Sequence, residues 1–135
     1  MKAWLLGFGI AVLLATSWGA QDPTIVVQPA TGADLLHIDP LRLDFGTIPI
    51  GTSSHAMAAT LTNLGSATLK IIDITPSGID FNESSTCSDT LAGGATCQIQ
   101  VIFRPAISGI RLGVISVMTS ASPNPTYIAL NGVGQ

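Results

Sequence analysis

The chain has 135 residues, the length of one domain, with 47% apolar and only 10% charged residues and a formal net charge of −3. Five basic residues with no basic cluster exclude the phosphate neutralisation that nucleic-acid binding requires. Nor is there a basic amphipathic segment of the kind that lies on a membrane surface.

Residues 1–20, MKAWLLGFGIAVLLATSWGA, read as a Sec-type export signal. Lys2 supplies the positive start, Ala3 to Ala15 is a continuous apolar stretch, and the small residues Ser17, Gly19 and Ala20 offer cleavage near residues 17–20. The apolar run is shorter than the roughly 18–20 residues that span a bilayer, so a cleaved signal is expected rather than an anchor. No cysteine lies near the cut, which argues against a lipoprotein. The expected product is secreted or periplasmic, with no stable membrane anchor after cleavage. It loses Trp4, Trp18 and Phe8 and keeps Phe45, Phe81, Phe103 and Tyr127 as its aromatics. Its cations are Arg42, Lys70, Arg104 and Arg111 against eight acidic residues, a net charge of −4.

Residues 21–35, with Pro23, Pro29 and Gly32, read as a linker or a short edge strand at Thr24 to Val27. The β-domain is expected over 36–135. Leu36 to Ile38 and Leu41 to Phe45 alternate apolar positions around Pro40, as an edge strand with a kink would. Gly46 and Gly51 bracket a turn. His55 to Asn63 places Met57, Ala59 and Leu61 on one side; Asn63-Leu64-Gly65-Ser66 signals a turn, and Leu69 to Ile74 follows as a strand. Ile79 to Phe81 suits a short strand. Cys97, Ile99, Val101 and Phe103 then alternate with Gln98, Gln100, Ile102 and Arg104, the period of two of a half-buried antiparallel strand, which Pro105 ends. Arg111 to Thr119 and Thr126 to Asn131 complete the set. No segment after the signal has helical periodicity, so an all-β sandwich of six to eight short strands is predicted.

Several residues together carry a family resemblance. They are Leu43-x-Phe45-Gly46, Gly51, Leu61-Thr62-Asn63-x-Gly65, Leu69-x-Ile71, Ser77-Gly78-x-Asp80-Phe81, Cys87, Leu91-Ala92-Gly93, Cys97, Val101-x-Phe103-x-Pro105, Gly109, Gly113 and Leu130-x-Gly132-x-Gly134. In this order, from about Leu41 to Gly134, they resemble the bacterial choice-of-anchor D domain, which is similar to the ASH and Hydin-type domains of ciliary and centrosomal proteins. The resemblance implies an immunoglobulin-like antiparallel β-sandwich of about seven strands, found in extracellular or envelope proteins and without catalytic residues. Members often precede a C-terminal anchor; here the sequence stops at Gly134-Gln135, so a soluble product is expected.

Cys87 and Cys97 are an even pair in a chain read as exported, which predicts one disulfide. A reactive thiol would need a neighbouring base or closer spacing. His37 and His55 lack the repeated spacing of zinc ligands. Ser53-Ser54-His55 offers nucleophile and base types, but adjacent strand residues face opposite ways and no G-x-S-x-G elbow holds them. The stretch Asp80 to Asp89 (Asp80, Asn82, Glu83, Asp89) has oxygen ligands that calcium would accept, yet it fails the EF-hand pattern. Asn82-Glu83-Ser84 is formally a glycosylation sequon. No catalytic, cofactor or metal site is predicted, and no cofactor.

The function expected is non-enzymatic: a structural or protein–protein interaction domain with a protein partner. The alternative is a carbohydrate- or matrix-binding module, for which Tyr127 would be the one obvious platform. The candidate contact surface is an apolar patch of Leu112, Val114 and Met118, facing away from the core beside Ile102 of the preceding strand. An unpaired edge strand that adds a partner's strand is the other mode of contact.

Overall fold

The computed structural model describes residues 35–135, so the signal and nearly all of the linker fall outside the described residues. Nine strands form: β1 (Leu36–Asp39), β2 (Arg42–Ile48), β3 (Met57–Asn63), β4 (Leu69–Ser77), β5 (Phe81–Ser85), β6 (Thr90–Leu91), β7 (Thr96–Phe103), β8 (Gly109–Thr119) and β9 (Thr126–Gly134). They make a four-stranded sheet in the order β1-β3-β7-β5 and a five-stranded sheet in the order β2-β9-β8-β4-β6. All pairings are antiparallel except that of β2 with β9. The architecture is the immunoglobulin-like sandwich, with nine strands rather than about seven.

Both additional strands have a local cause. Pro40 lacks the N–H that a continuous strand would need, and there the chain leaves one sheet for the other. β1 therefore pairs with β3 while β2 runs alongside β9. What reads in the sequence as one kinked strand is two strands in two layers. The second addition is β6, which bridges β4 through Leu69 and Lys70 alone.

The core lies between the sheets and follows from the period of two. β7 is the most regular case, with Cys97, Ile99, Val101 and Phe103 buried and the residues between them exposed. Leu43, Ala59, Leu61, Ile115, Val117, Ile128 and Leu130 meet them from four other strands across both sheets, each at most 1% exposed. At one end Phe45, Phe81 and Phe103 form a cluster, with ring centroids 4.9 Å apart for Phe81–Phe103 and 5.8 Å for the two pairs with Phe45. Gly46 does not end β2; it is the left-handed residue (φ 68°) of a bulge between Asp44 and Thr47, where the register with β9 shifts. A second bulge at Ile72 turns that side chain outward, leaving it 62% exposed between Ile71 and Asp73. The short strand expected at Ile79 to Phe81 lies later, at Phe81–Ser85, and Ile79 sits on the preceding turn.

Candidate interaction surfaces

Cys87 and Cys97 are joined, as their pairing in the sequence predicts. The bond closes an excursion of the chain: from β5 in the four-stranded sheet to β6 in the five-stranded sheet, then back to β7. Cys97 belongs to the core and Cys87 packs against it. In the chain-entropy account, closing a loop of this length restricts the unfolded chain by about 2–3 kcal/mol. Replacing both cysteines with alanine should lower the melting temperature by roughly 10–15 °C. Alkylation of denatured, unreduced wild-type protein should label no thiol; labelling of two would show that the staple is absent.

Ser54 and His55 do not form a nucleophile–base pair. The Ser54 hydroxyl donates to the His55 backbone carbonyl (2.8 Å) and accepts from the Phe103 N–H (3.0 Å), so it serves as a clasp at the end of β7. Of the acidic stretch, Asp80 is committed elsewhere. The Asp80 carboxylate, side chain 4% exposed, accepts from Arg111 Nε at 2.5 Å and from the Ala106 N–H at 3.0 Å. Among the described residues no three His, Cys, Asp or Glu side chains converge on a metal-sized site. A hollow of ≈380 Å³ opens beside this pair, with Ile50, Ile79 and Arg104 on its walls. Arg104 Nε already donates to the Gly51 carbonyl there, at 3.0 Å.

The predicted apolar patch is divided by the topology. Leu112, Val114 and Met118 lie on β8, on the outer face of the five-stranded sheet, whereas Ile102 lies on β7 in the other sheet. Ile102 is 38% exposed on the opposite side of the sandwich and does not belong to the patch. Consecutive strands are often neighbours, but β7 and β8 are in different layers. Met118 is also remote: six residues from Leu112 along a strand is about 20 Å. It stands opposite Asp73 at the far end of the face.

β9 supplies what Ile102 does not. Its outward residues Tyr127, Ala129, Asn131 and Val133 stand opposite Ser116, Val114, Leu112 and Ile110 of β8. Ile110 is 74% exposed, Leu112 69% and Tyr127 57%. Ile110, Leu112, Ala129, Asn131 and Val133 line a shallow groove of ≈460 Å³ whose β2 side is marked by Arg42. The alternation of β9 is legible in the sequence, but its alignment with β8 is a matter of pairing. Arg42 and Asp44 stand on this face opposite Ala129 and Asn131. The Asp44 carboxyl is held below the ordinary carboxylate range by the Gly46 N–H, the Asn131 side chain and the Arg42 charge, in that order.

The sheet edges are poor templates for an added strand. β1 has four residues and stops at Pro40. β2 is bent by its bulge at Gly46. β5 carries Glu83 on its inner side, opposite Val101, where partial burial pushes the carboxyl upward. β4 is capped by β6 at one end, has the Ile72 bulge, and carries Pro76 further along.

A protein of unknown function from Porphyromonas gingivalis W83 superposes with a TM-score of 0.64 at 13% identity, over 91% of this chain and 54% of that one. The VesB protease of Vibrio cholerae gives 0.58 at 20% identity, over 75% and 32% respectively. The ASH/PapD-like domain 7 of human CEP192 gives 0.56 at 16% identity, over 85% and 96%. At these identities the likeness is one of fold, and the chain spans about half of the first and a third of the second. No curated protein matches the chain significantly. The family model that matches residues 34–133 is described as the HYDIN/CFA65/VesB-like, Ig-like domain, so the choice-of-anchor D resemblance narrows to its ASH/Hydin-type kin, and the chain belongs to the HYDIN/CFA65/VesB-like Ig-like family.

Proposed function

We propose that this chain is an exported, non-enzymatic immunoglobulin-like module that acts by protein contact through the outer face of its five-stranded sheet. The observation that carries the reading is the contrast between that face and the edges. Ile110, Leu112 and Val114 make a continuous apolar stripe on β8, flanked on β9 by Ala129 and Val133 with Asn131 between them, an arrangement that marks an interaction site when left exposed. The edges, by contrast, are shortened, bulged or charged, which disfavours recognition by strand addition. Carbohydrate binding is less well supported, because Phe45, Phe81 and Phe103 are all buried in the core and Tyr127 is the one exposed aromatic among the described residues.

Export rests on the signal-like residues 1–20, with cleavage near 17–20, and on the Cys87–Cys97 disulfide, which suits an oxidising compartment. The choice-of-anchor D pattern supports placement in the envelope or outside the cell. The non-enzymatic reading is supported by groups that could have reacted: the Ser54 hydroxyl and the Asp80 carboxylate are each bonded as structural elements.

The test is chemical crosslinking of the exported protein in its native cell fraction, comparing wild type with the substitution Val114→Asp. Loss of the crosslinked product, with circular dichroism unchanged, is the expected result. A product of equal yield from the charged variant would remove this face from consideration.

A further inference from the structure

The register of the outer face contains an exchange symmetry. At one level Arg42 of β2, Ala129 of β9 and Val114 of β8 stand side by side; two residues along, on the same face, stand Asp44, Asn131 and Leu112. A two-fold axis lying across the strands between these levels would superpose each row on the other. Arg42 then meets Asp44 of the partner subunit, and Val114 meets Leu112 of the partner subunit. The next levels outward exchange as well, Ile110 and Val133 lying over Ser116 and Tyr127 of the partner subunit. Isologous contacts require this kind of self-complementarity.

From this match we infer that the partner of the outer face is a second copy of the chain, giving a two-fold, sheet-on-sheet dimer; the inference rests on the contact face proposed above. Packed sheets cross at about 30°, which displaces the outermost positions but leaves those near the axis facing each other. The extent of the face suits a weak association. β8 and β9 over about seven residues, with the start of β2, cover roughly 300 Å² in plan. Side-chain relief enlarges this, yet it stays below the ~800 Å² per partner of a standard interface, as a micromolar dimer would. Beside the axis Val114 meets Leu112 of the partner subunit and Ala129 meets Asn131 of the partner subunit, while two equivalent Arg42–Asp44 pairs close the contact on its β2 edge. The opposite charges of these pairs cancel, so the acidic balance of the chain does not oppose association there.

The measurement is molar mass by light scattering on the protein purified from an exporting host. Wild type should have twice the chain mass at about 10–100 μM, the range in which a micromolar dimer is populated. Leu112→Asp, at a position already 69% exposed, should reduce the mass to one chain with the far-UV circular dichroism unchanged. Val114→Asp should do the same. Arg42→Asp and Asp44→Arg should each be monomeric alone, because like charges then face each other. Mixed one to one, these two variants should recover the dimer mass, since every 42–44 contact across the axis is again of opposite sign. A wild-type monomer throughout this range, a dimer that survives both aspartate substitutions, or a mixture that stays monomeric would each overturn the inference. A wild-type monomer that still forms a Val114-dependent crosslink to a different chain overturns the second-copy partner and leaves the contact face standing; a monomer without such a crosslink removes both.

Discussion

Replacing Phe103 with alanine should destabilise the domain by about 3–5 kcal/mol, a large part of the 5–15 kcal/mol that a domain of this size has. The ring is fully buried, stacks on Phe81 of its own sheet at 4.9 Å, and reaches Phe45 of the opposite sheet at 5.8 Å. It also lies over Gly132 of β9, where an added Cβ would come within 2.4 Å of Cε2. One side chain therefore fills space contributed by β5 and β7 from one layer and β2 and β9 from the other. Its removal leaves a cavity that the flanking strands, fixed by their ladders, close only in part. The reciprocal change, Gly132→Ala, should also destabilise, by overpacking, at about 1–3 kcal/mol. The two effects share one volume, so they should not add. Urea unfolding of Gly132→Ala, Phe103→Leu and the double variant checks this: Gly132→Ala should cost clearly less when the smaller side chain is already present. An equal cost in both backgrounds would mean that the glycine is required for some other reason.

Sequence and structure agree most closely where a property is local. The alternation of β7 identifies its buried side chains because a strand repeats every two residues whatever its neighbours are. The disulfide is legible because only one pairing of Cys87 with Cys97 exists within the chain. What the sequence does not reveal is adjacency. Pro40 reads equally as a kink in one strand or a crossing between two sheets, and only the pairing of β1 with β3 and of β2 with β9 decides. The same ignorance places Ile102 beside Leu112, since chain order does not say that β7 and β8 belong to different layers. Ala129 and Val133 are missed, and Tyr127 is read only as a sugar platform, for the complementary reason: their outward side is implied by alternation, but not that it continues the stripe of β8. Asp80 illustrates a third case. A carboxylate near other acids in the sequence suggests an ion site, whereas in space its nearest charge is Arg111, 31 residues away.

Asn63 stands at the boundary between local and non-local meaning, and its substitution gives a sharp test. As part of Asn63-Leu64-Gly65-Ser66 it reads as a turn residue, and its Oδ1 does accept the Gly65 N–H at 2.9 Å. It is also fully buried. Its Nδ2 donates to the carbonyls of Ala67 (2.7 Å) and Leu91 (2.9 Å), while its backbone bonds Ala95 and Gly94. The side chain thus ties the β3–β4 turn to the segment closed by the disulfide. Asn63→Ala leaves buried polar groups without partners and should cost about 2–3 kcal/mol, with little dependence on pH. Asn63→Asp keeps the shape but replaces both donors with an oxygen that, when ionised, faces two carbonyls. Its cost at neutral pH should exceed that of alanine, at about 3–5 kcal/mol, because an uncompensated charge is buried. Protonation restores one donor, so the folded state raises the pKa of the new carboxyl above its unfolded value. The sign follows from linkage: the variant binds its proton more tightly when folded, so its stability relative to wild type is greatest in acid and falls as pH rises through that raised pKa. Urea unfolding at several values between about pH 4 and pH 7 should therefore show the deficit of Asn63→Asp growing with pH while that of Asn63→Ala stays level. Parallel curves for the two variants would mean that the amide's donors are dispensable, and the link between turn and staple would then rest on the backbone bonds of Asn63 alone.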